Sequence, residues 1–257
     1  MADFDRKTFR QIVQDGKGDS ILNYEFNVIE ITDIEKDEEL NLMFLRLQLG
    51  APLNAGEKLN AMRGSMRDFI FKVLGKHDYL EYLNIPKRRF WRELTAAQIA
   101  ANFFSLQEGS GFTRTRFVDL QEFFKRYSQF DSAGRRRAAL IVERLDNLCA
   151  ALTKSRKVVV KNRAIGVSIF FFVNMLIETK NSNQISKFLE FLNVFLERLK
   201  EQVAKGISIE DRYKYLLNFQ SYVSQAAVEK YAVENRQYFL KEYFDYYLEN
   251  NSIKGDH

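Results

Sequence analysis

LMFLRLQLGAPLNAGEKLNA, residues 42–61, decides how this chain is read, because two kinds of structure meet in it. An apolar-periodic segment closes near Leu47. A turn follows, holding Gly50 and Pro52, one of only 2 prolines in 257 residues. Asn54 then stands where a new helix begins, and Glu57 sits at the third position of its first turn. That spacing predicts a capping box: Asn54 accepts from the free amide near Glu57, and Glu57 reaches back to the Asn54 amide. Capping signals are common in helical proteins, so the spacing alone specifies a helix–turn–helix joint.

Downstream of the joint the apolar spacing is helical throughout. Ala55–Leu74 places Leu59, Met62, Met66, Phe69, Ile70 and Val73 on one face, with Gly75 as its C-cap. Further helices are predicted over 87–107, 115–128, 134–153, 162–179, 184–205, 208–235 and 236–250. The most apolar run, Ala164–Ile177, is 14 residues long and holds Ser168 and Asn174. A membrane span needs roughly 20, so this run reads as a central buried helix. The aromatics crowding the last helices, Tyr213 to Tyr247, have core spacing, and no fixed-period repeat is present.

Upstream the pattern differs. Residues 4–14 fit a short amphipathic helix, with Phe9, Ile12 and Val13 on one face. Residues 24–31, YEFNVIEI, read as the one good strand in the chain, and 35–47 as an acidic helix. The expected fold class is therefore mainly α: a helical bundle over 41–257 with a short N-terminal α/β remnant over 1–40. A lone strand leaves backbone donors and acceptors unpaired. It is expected to be a docking edge for a partner protein chain or a second copy.

Composition supports a globular helical protein. Hydrophobic residues make up 46%, against 12 glycines and 2 prolines. The single cysteine, Cys149, lies in the pattern Leu140, Val142, Leu145, Leu148, Leu152 and reads as a small core residue. With no disulfide possible within the chain, a polar N-terminus and no span, the expected location is the cytoplasm, away from any membrane.

The net charge of +5 is unevenly spread. Residues 1–45 hold 11 acids and 5 bases, whereas 86–163 hold 17 bases and 7 acids. A concentrated positive charge points to an anionic partner. Its clusters are Arg88 and Arg89 beside Lys87; Arg114 and Arg116; Arg135, Arg136 and Arg137; and Lys154, Arg156, Lys157, Lys161 and Arg163. Three of the four adjoin a predicted helix end, where backbone amides can share a phosphate contact. These residues are the candidate nucleic-acid-backbone contacts; solvated loops around a bundle would look the same.

Catalytic chemistry finds little support. Only 2 histidines occur, His77 and His257, so a His-rich metal site and a histidine-activated nucleophile are not expected. His77 reads as a surface loop residue. There is no Walker A loop and no dinucleotide glycine motif. Neither a catalytic residue nor a cofactor is expected.

Within residues 42–61, Arg46, Leu47, Gln48, Gly50, Pro52, Leu53, Asn54, Glu57, Asn60 and Ala61 carry a family resemblance. They are similar to the F-x-R-L-N-x-G-x-x-L-N-x-x-E-x-x-N-A element of GmrSD-type proteins, bacterial modification-dependent restriction and anti-phage proteins. Gln48 departs from it, standing where the family has Asn. The strand at 24–31, Asn162-Arg163 before an apolar helix, and the ending Ile253–Asp256 also resemble family features. The family's NTP-handling half resembles the ParB and sulfiredoxin fold and carries a D-G-Q-Q-R loop. That loop does not occur here; Asp15–Asp19 reads as a turn. The resemblance implies a helical half that begins just past a catalytic half and contacts DNA without cutting it. If an NTP site forms with a partner, Arg46, Gln48, Asn54 and Glu57 are the matching residues. The alternative is a scaffold module, or a truncated product, whose basic segment faces an acidic protein.

Overall fold

In the computed structural model, residues 7–25, 53–154, 160, 162–205 and 214–254 are described. The chain divides into two compact units, Met1–Gly50 and Ala51–His257. Every regular element among the described residues is a helix, in keeping with the mainly α expectation. No strand occurs among them. Of the strand expected over 24–31, Tyr24 and Glu25 are described and belong to no strand, while 26–31 lies outside the described residues, as does the expected acidic helix.

In the first unit, α1 (Phe9–Gln14) starts after Thr8, whose amide donates to Gln11 Oε1 at 2.8 Å. Of the turn expected over Asp15–Asp19, the Asp-Gly is one, with Gly16 at φ 72°, but Gly18 and Asp19 already belong to α2 (Gly18–Leu22).

The second unit opens with α3 (Ala55–Asn60) and α4 (Ser65–Asp68). Sequence periodicity joined these into one helix; the chain breaks at Gly64. Two constraints act there. Gly64 has φ 112°, and a Cβ would sit 2.4 Å from the Ser128 carbonyl oxygen. Backbone bonds cross at that point: Ser65 N–H donates to Ser128 O at 2.7 Å and Met66 N–H to Tyr127 O at 3.2 Å. A long-range contact thus overrides the local pattern. Beyond α4 the helix widens to a π turn over Phe69–Val73 and tightens to 3₁₀ over Leu74–Lys76. His77 then caps α5 (Asp78–Tyr82), accepting from Tyr79 N–H at 3.1 Å through Nδ1. Its Nε2 lies 3.1 Å from Asp146 Oδ1. His77 is a joint between two helices, with its side chain only 10% exposed, rather than the surface loop residue its neighbours imply.

The long helices follow: α6 (Trp91–Gln107), α7 (Phe117–Arg126), α8 (Ser132–Lys154), α9 (Arg163–Glu178), α10 (Ile185–Lys205), α11 (Lys214–Ser224) and α12 (Lys230–Asn250). Apolar on nearly every side, α9 shows little of itself to solvent before Glu178; it buries Val167, Ile169, Phe170, Phe171, Phe172 and Val173 together and packs on α6, α8 and α12. The Phe172 ring stacks on Phe188 of α10 at 4.3 Å and meets Phe244 of α12 edge-on at 5.6 Å. Along α10 the stripe Phe188, Leu192, Phe195, Leu199 is buried at helical spacing. Of the late aromatics, Phe219, Phe239, Tyr243, Phe244 and Tyr247 are buried core, as their spacing predicts, whereas Tyr231 and Tyr238 are exposed.

The joint between the last two helices is not where periodicity puts it. A break at 235/236 was expected; α11 ends at Ser224 and α12 starts at Lys230. Residues 225–229, QAAVE, hold no glycine or proline. The reversal is made by Ala226 in the left-handed region, φ 52°. It is held by Arg236, whose Nη1 donates to Tyr222 O at 2.7 Å and Ala227 O at 3.1 Å. A side chain nine residues on supplies what a turn residue would otherwise supply.

Candidate anion-binding surface and cavity

The capping box that opens the family-like motif is formed. Asn54 Oδ1 accepts from Gly56 N–H at 2.9 Å and Glu57 N–H at 3.1 Å, and Glu57 Oε2 accepts from Asn54 N–H at 2.7 Å. At the far end of α3, Asn60 Oδ1 accepts from Arg67 Nη2 at 2.8 Å. Arg46, Gln48 and Gly50 lie outside the described residues.

The motif helix rests on the first basic cluster. A Cβ on Gly56 would come within 2.6 Å of Phe90 Cβ and 2.8 Å of the Arg89 carbonyl oxygen. Arg89 and Phe90 both hold left-handed backbone, φ 54° and 56°. Two consecutive non-glycine residues in that region need surrounding structure to hold them. The α3 backbone on one side and the Phe90 ring against Phe71 at 5.6 Å on the other supply it. The turn leaves Arg88 and Arg89 exposed, with the Arg88 guanidinium 4.9 Å from the Trp91 ring centre.

The other clusters sort by whether a carboxylate answers them. Arg114 and Arg116 converge on Asp119 at 3.9 and 2.9 Å, and Arg116 also approaches Glu229 at 3.8 Å. The Arg116 hydrogen bond holds the Asp119 carboxyl below its usual range. Arg137 and Arg126 both meet Glu108 at 3.0 Å, and the Tyr127 hydroxyl donates to the same carboxylate. Arg135 Nη1 donates to Phe130 O at 2.7 Å. Arg136 and Lys154 are exposed with no partner among the described residues. Arg156, Lys157 and Lys161 lie outside the described residues.

Arg163 is different. It opens α9, directly after the Asn162 cap, whose Oδ1 accepts from Ala164 N–H at 2.8 Å. Its Nε donates to Thr95 Oγ1 at 3.0 Å. It lines a cavity of about 330 Å³ shared by α6, α9, α12 and the turn before α12. Arg236 lines the same cavity and is fully buried at 0% exposure. Its Nε donates to Ser168 Oγ at 2.8 Å. No Asp or Glu among the described residues lines this space. Burial lowers the pKa of both guanidinium groups, that of Arg236 to about 10. A second depression of about 480 Å³ contrasts with it: Glu108, Asp119 and Glu122 face Arg114 and Arg126 there, so its charge is answered internally.

The structure thus brings Arg163 into a cavity, leaves Arg88, Arg89 and Arg136 open to solvent, and ties Arg114, Arg116 and Arg137 to acids. Arg236 was not among the sequence candidates. Its signal was a charge in the stripe Val233, Arg236, Leu240, Tyr243 of α12, at positions otherwise apolar. No protein-family model, curated protein or solved structure matches this chain.

Proposed function

We propose that this protein is a non-catalytic helical module that contacts a nucleic-acid backbone as part of a GmrSD-type defence system. One observation carries the reading: Arg88, Arg89 and Arg136 are exposed and answered by no carboxylate among the described residues, whereas other arginines of the same basic segment are. Exposed cations without internal partners are those free to replace counterions on phosphates. The motif helix supports it by bracing the turn that presents Arg88 and Arg89.

The test is duplex DNA binding across a salt series. Each phosphate contact contributes about 0.9 to the slope of log affinity against log salt. The double variant Arg89→Glu/Arg136→Glu is expected to lower that slope by about 2, while Arg116→Glu leaves it nearly unchanged. Binding that is absent at low salt, or equally sensitive to all three changes, refutes the reading. The internal pairing of Arg114, Arg116, Arg126 and Arg137 favours a second reading, a scaffold for an acidic protein. Retained partner capture with no DNA binding supports that one.

A further inference from the structure

The cavity between α6, α9 and α12 holds an imbalance that the fold does not resolve. Arg236 is wholly buried, and its three acceptors are neutral oxygens: the Ser168 hydroxyl and the Tyr222 and Ala227 carbonyls. Those carbonyls account for its hold on the 225–229 turn, where a cation near the C-terminus of α11 is favourable. They leave its net charge without a counterion among the described residues. Arg163 adds a second charge, bonded through Nε to one threonine hydroxyl, with Nη1 and Nη2 given no partner among the described residues. The two are linked through one helix: Ser168, which receives Arg236, lies five residues along α9 from Arg163, roughly 7–8 Å at 1.5 Å per residue.

Uncompensated charge in a low-dielectric site is costly, and a bound anion of matching charge removes the cost. Two guanidinium groups, Arg163 at the positive end of a 16-residue helix and Arg236 at Ser168 over a turn further on, favour a dianion over a monoanion. Guanidinium forks also match phosphate oxygens in geometry. The remaining walls are uncharged: Val167, Val223 and Val233 form an apolar side, and Gln98, Asn102, Thr115 and Asn162 add neutral polar groups. Trp91 gives the site an aromatic face, and the volume is at the small end of ligand pockets.

We propose that this cavity binds a small phosphate monoester, its dianionic head on the half-buried Arg163 with the charge of Arg236 in the wall behind it, and its organic body against the valines and Trp91. The same chemistry has two sources, a free phosphorylated metabolite and the 5′-phosphate of a nucleic-acid strand. The proposal stands on the cavity and is independent of the exposed-arginine surface.

The chain has 1 tryptophan, and it lines this cavity, so Trp91 emission of the full-length protein reports occupancy. Inorganic phosphate, ribose 5-phosphate, and a dinucleotide with and without its 5′-phosphate serve as probes at constant ionic strength. A saturable emission change is expected with phosphate and ribose 5-phosphate, and at least a tenfold weaker one with acetate. Arg163→Gln, checked by circular dichroism for an intact helical signal, is expected to weaken the response at least tenfold, and Arg163→Lys to restore part of it. Arg236→Lys gives a second reading where it folds. The Arg89→Glu/Arg136→Glu variant is expected to respond like wild type, which separates this site from the proposed DNA surface. Preference for the 5′-phosphorylated dinucleotide over ribose 5-phosphate assigns the strand end; the reverse assigns a metabolite. No saturable response to any phosphate probe, or an unchanged response in folded Arg163→Gln, overturns the proposal.

Discussion

Replacing Gly56 by alanine is expected to destabilise the protein, although alanine is the better helix former. Gly56 lies inside α3, where Gly→Ala ordinarily gains up to about 1 kcal/mol. The added Cβ, however, would stand 2.6 Å from Phe90 Cβ and 2.8 Å from the Arg89 carbonyl oxygen, well inside the 3.4–4 Å of ordinary contact. Neither obstacle is the loose end of a side chain. Both belong to a turn already held at φ 54° and 56°, and the Phe90 ring behind it rests on Phe71. Relief must come from backbone movement. Overpacking costs about 1–3 kcal/mol; two contacts this short against a fixed backbone fall in the upper half of that range, so after the propensity gain the net loss is about 1–2 kcal/mol. For a domain of this size that lowers the melting temperature by roughly 2–8 °C. Thermal and urea melts followed by circular dichroism measure it. A variant as stable as wild type, or more so, would show that α3 does not brace the basic turn.

Three further outcomes follow from the packing. Burial, and then the neighbouring Glu108, push the Tyr127 hydroxyl up to about 12 from 10.0. Because the folded state holds that proton more tightly, its stabilisation is complete below about pH 10 and lost between 10 and 12; Tyr127→Phe should flatten that part of the stability–pH curve. Burial likewise pushes the Cys149 thiol up to about 11. A thiol reagent at pH 8 should therefore label native protein far more slowly than urea-unfolded protein; equal rates would remove Cys149 from the core boundary. Phe172→Ala removes a ring stacked on Phe188 and edge-on to Phe244 and should cost about 3–5 kcal/mol in a denaturant titration.

The all-helical body is legible residue by residue where the pattern is strong. The helices expected over 162–179 and 184–205 are found over Arg163–Glu178 and Ile185–Lys205, because a continuous apolar run and a clean stripe leave one way to bury them. Asn54 and Glu57 are likewise local: both partners of the capping box lie within one turn, so spacing suffices. Misplaced boundaries share one cause. The break at Gly64 is set by Ser128, and the turn at Ala226 by Arg236; each depends on a residue brought in by the fold.

By itself, then, the sequence determined the helical class, the buried α9, the aromatic core and the concentration of positive charge between 86 and 163. Those properties are sums over neighbours in the chain, and hydrophobic periodicity carries them. Only the tertiary structure decided which charges are free. Arg116 and Arg137 are as basic in sequence as Arg136, yet packing sets Asp119 and Glu108 against the first two. It also set Arg163 and Arg236, 73 positions apart in the sequence, around one cavity with no acid among the described residues of its wall. Charge neutralisation acts over a few ångströms of space, and that distance is fixed only when the helices meet.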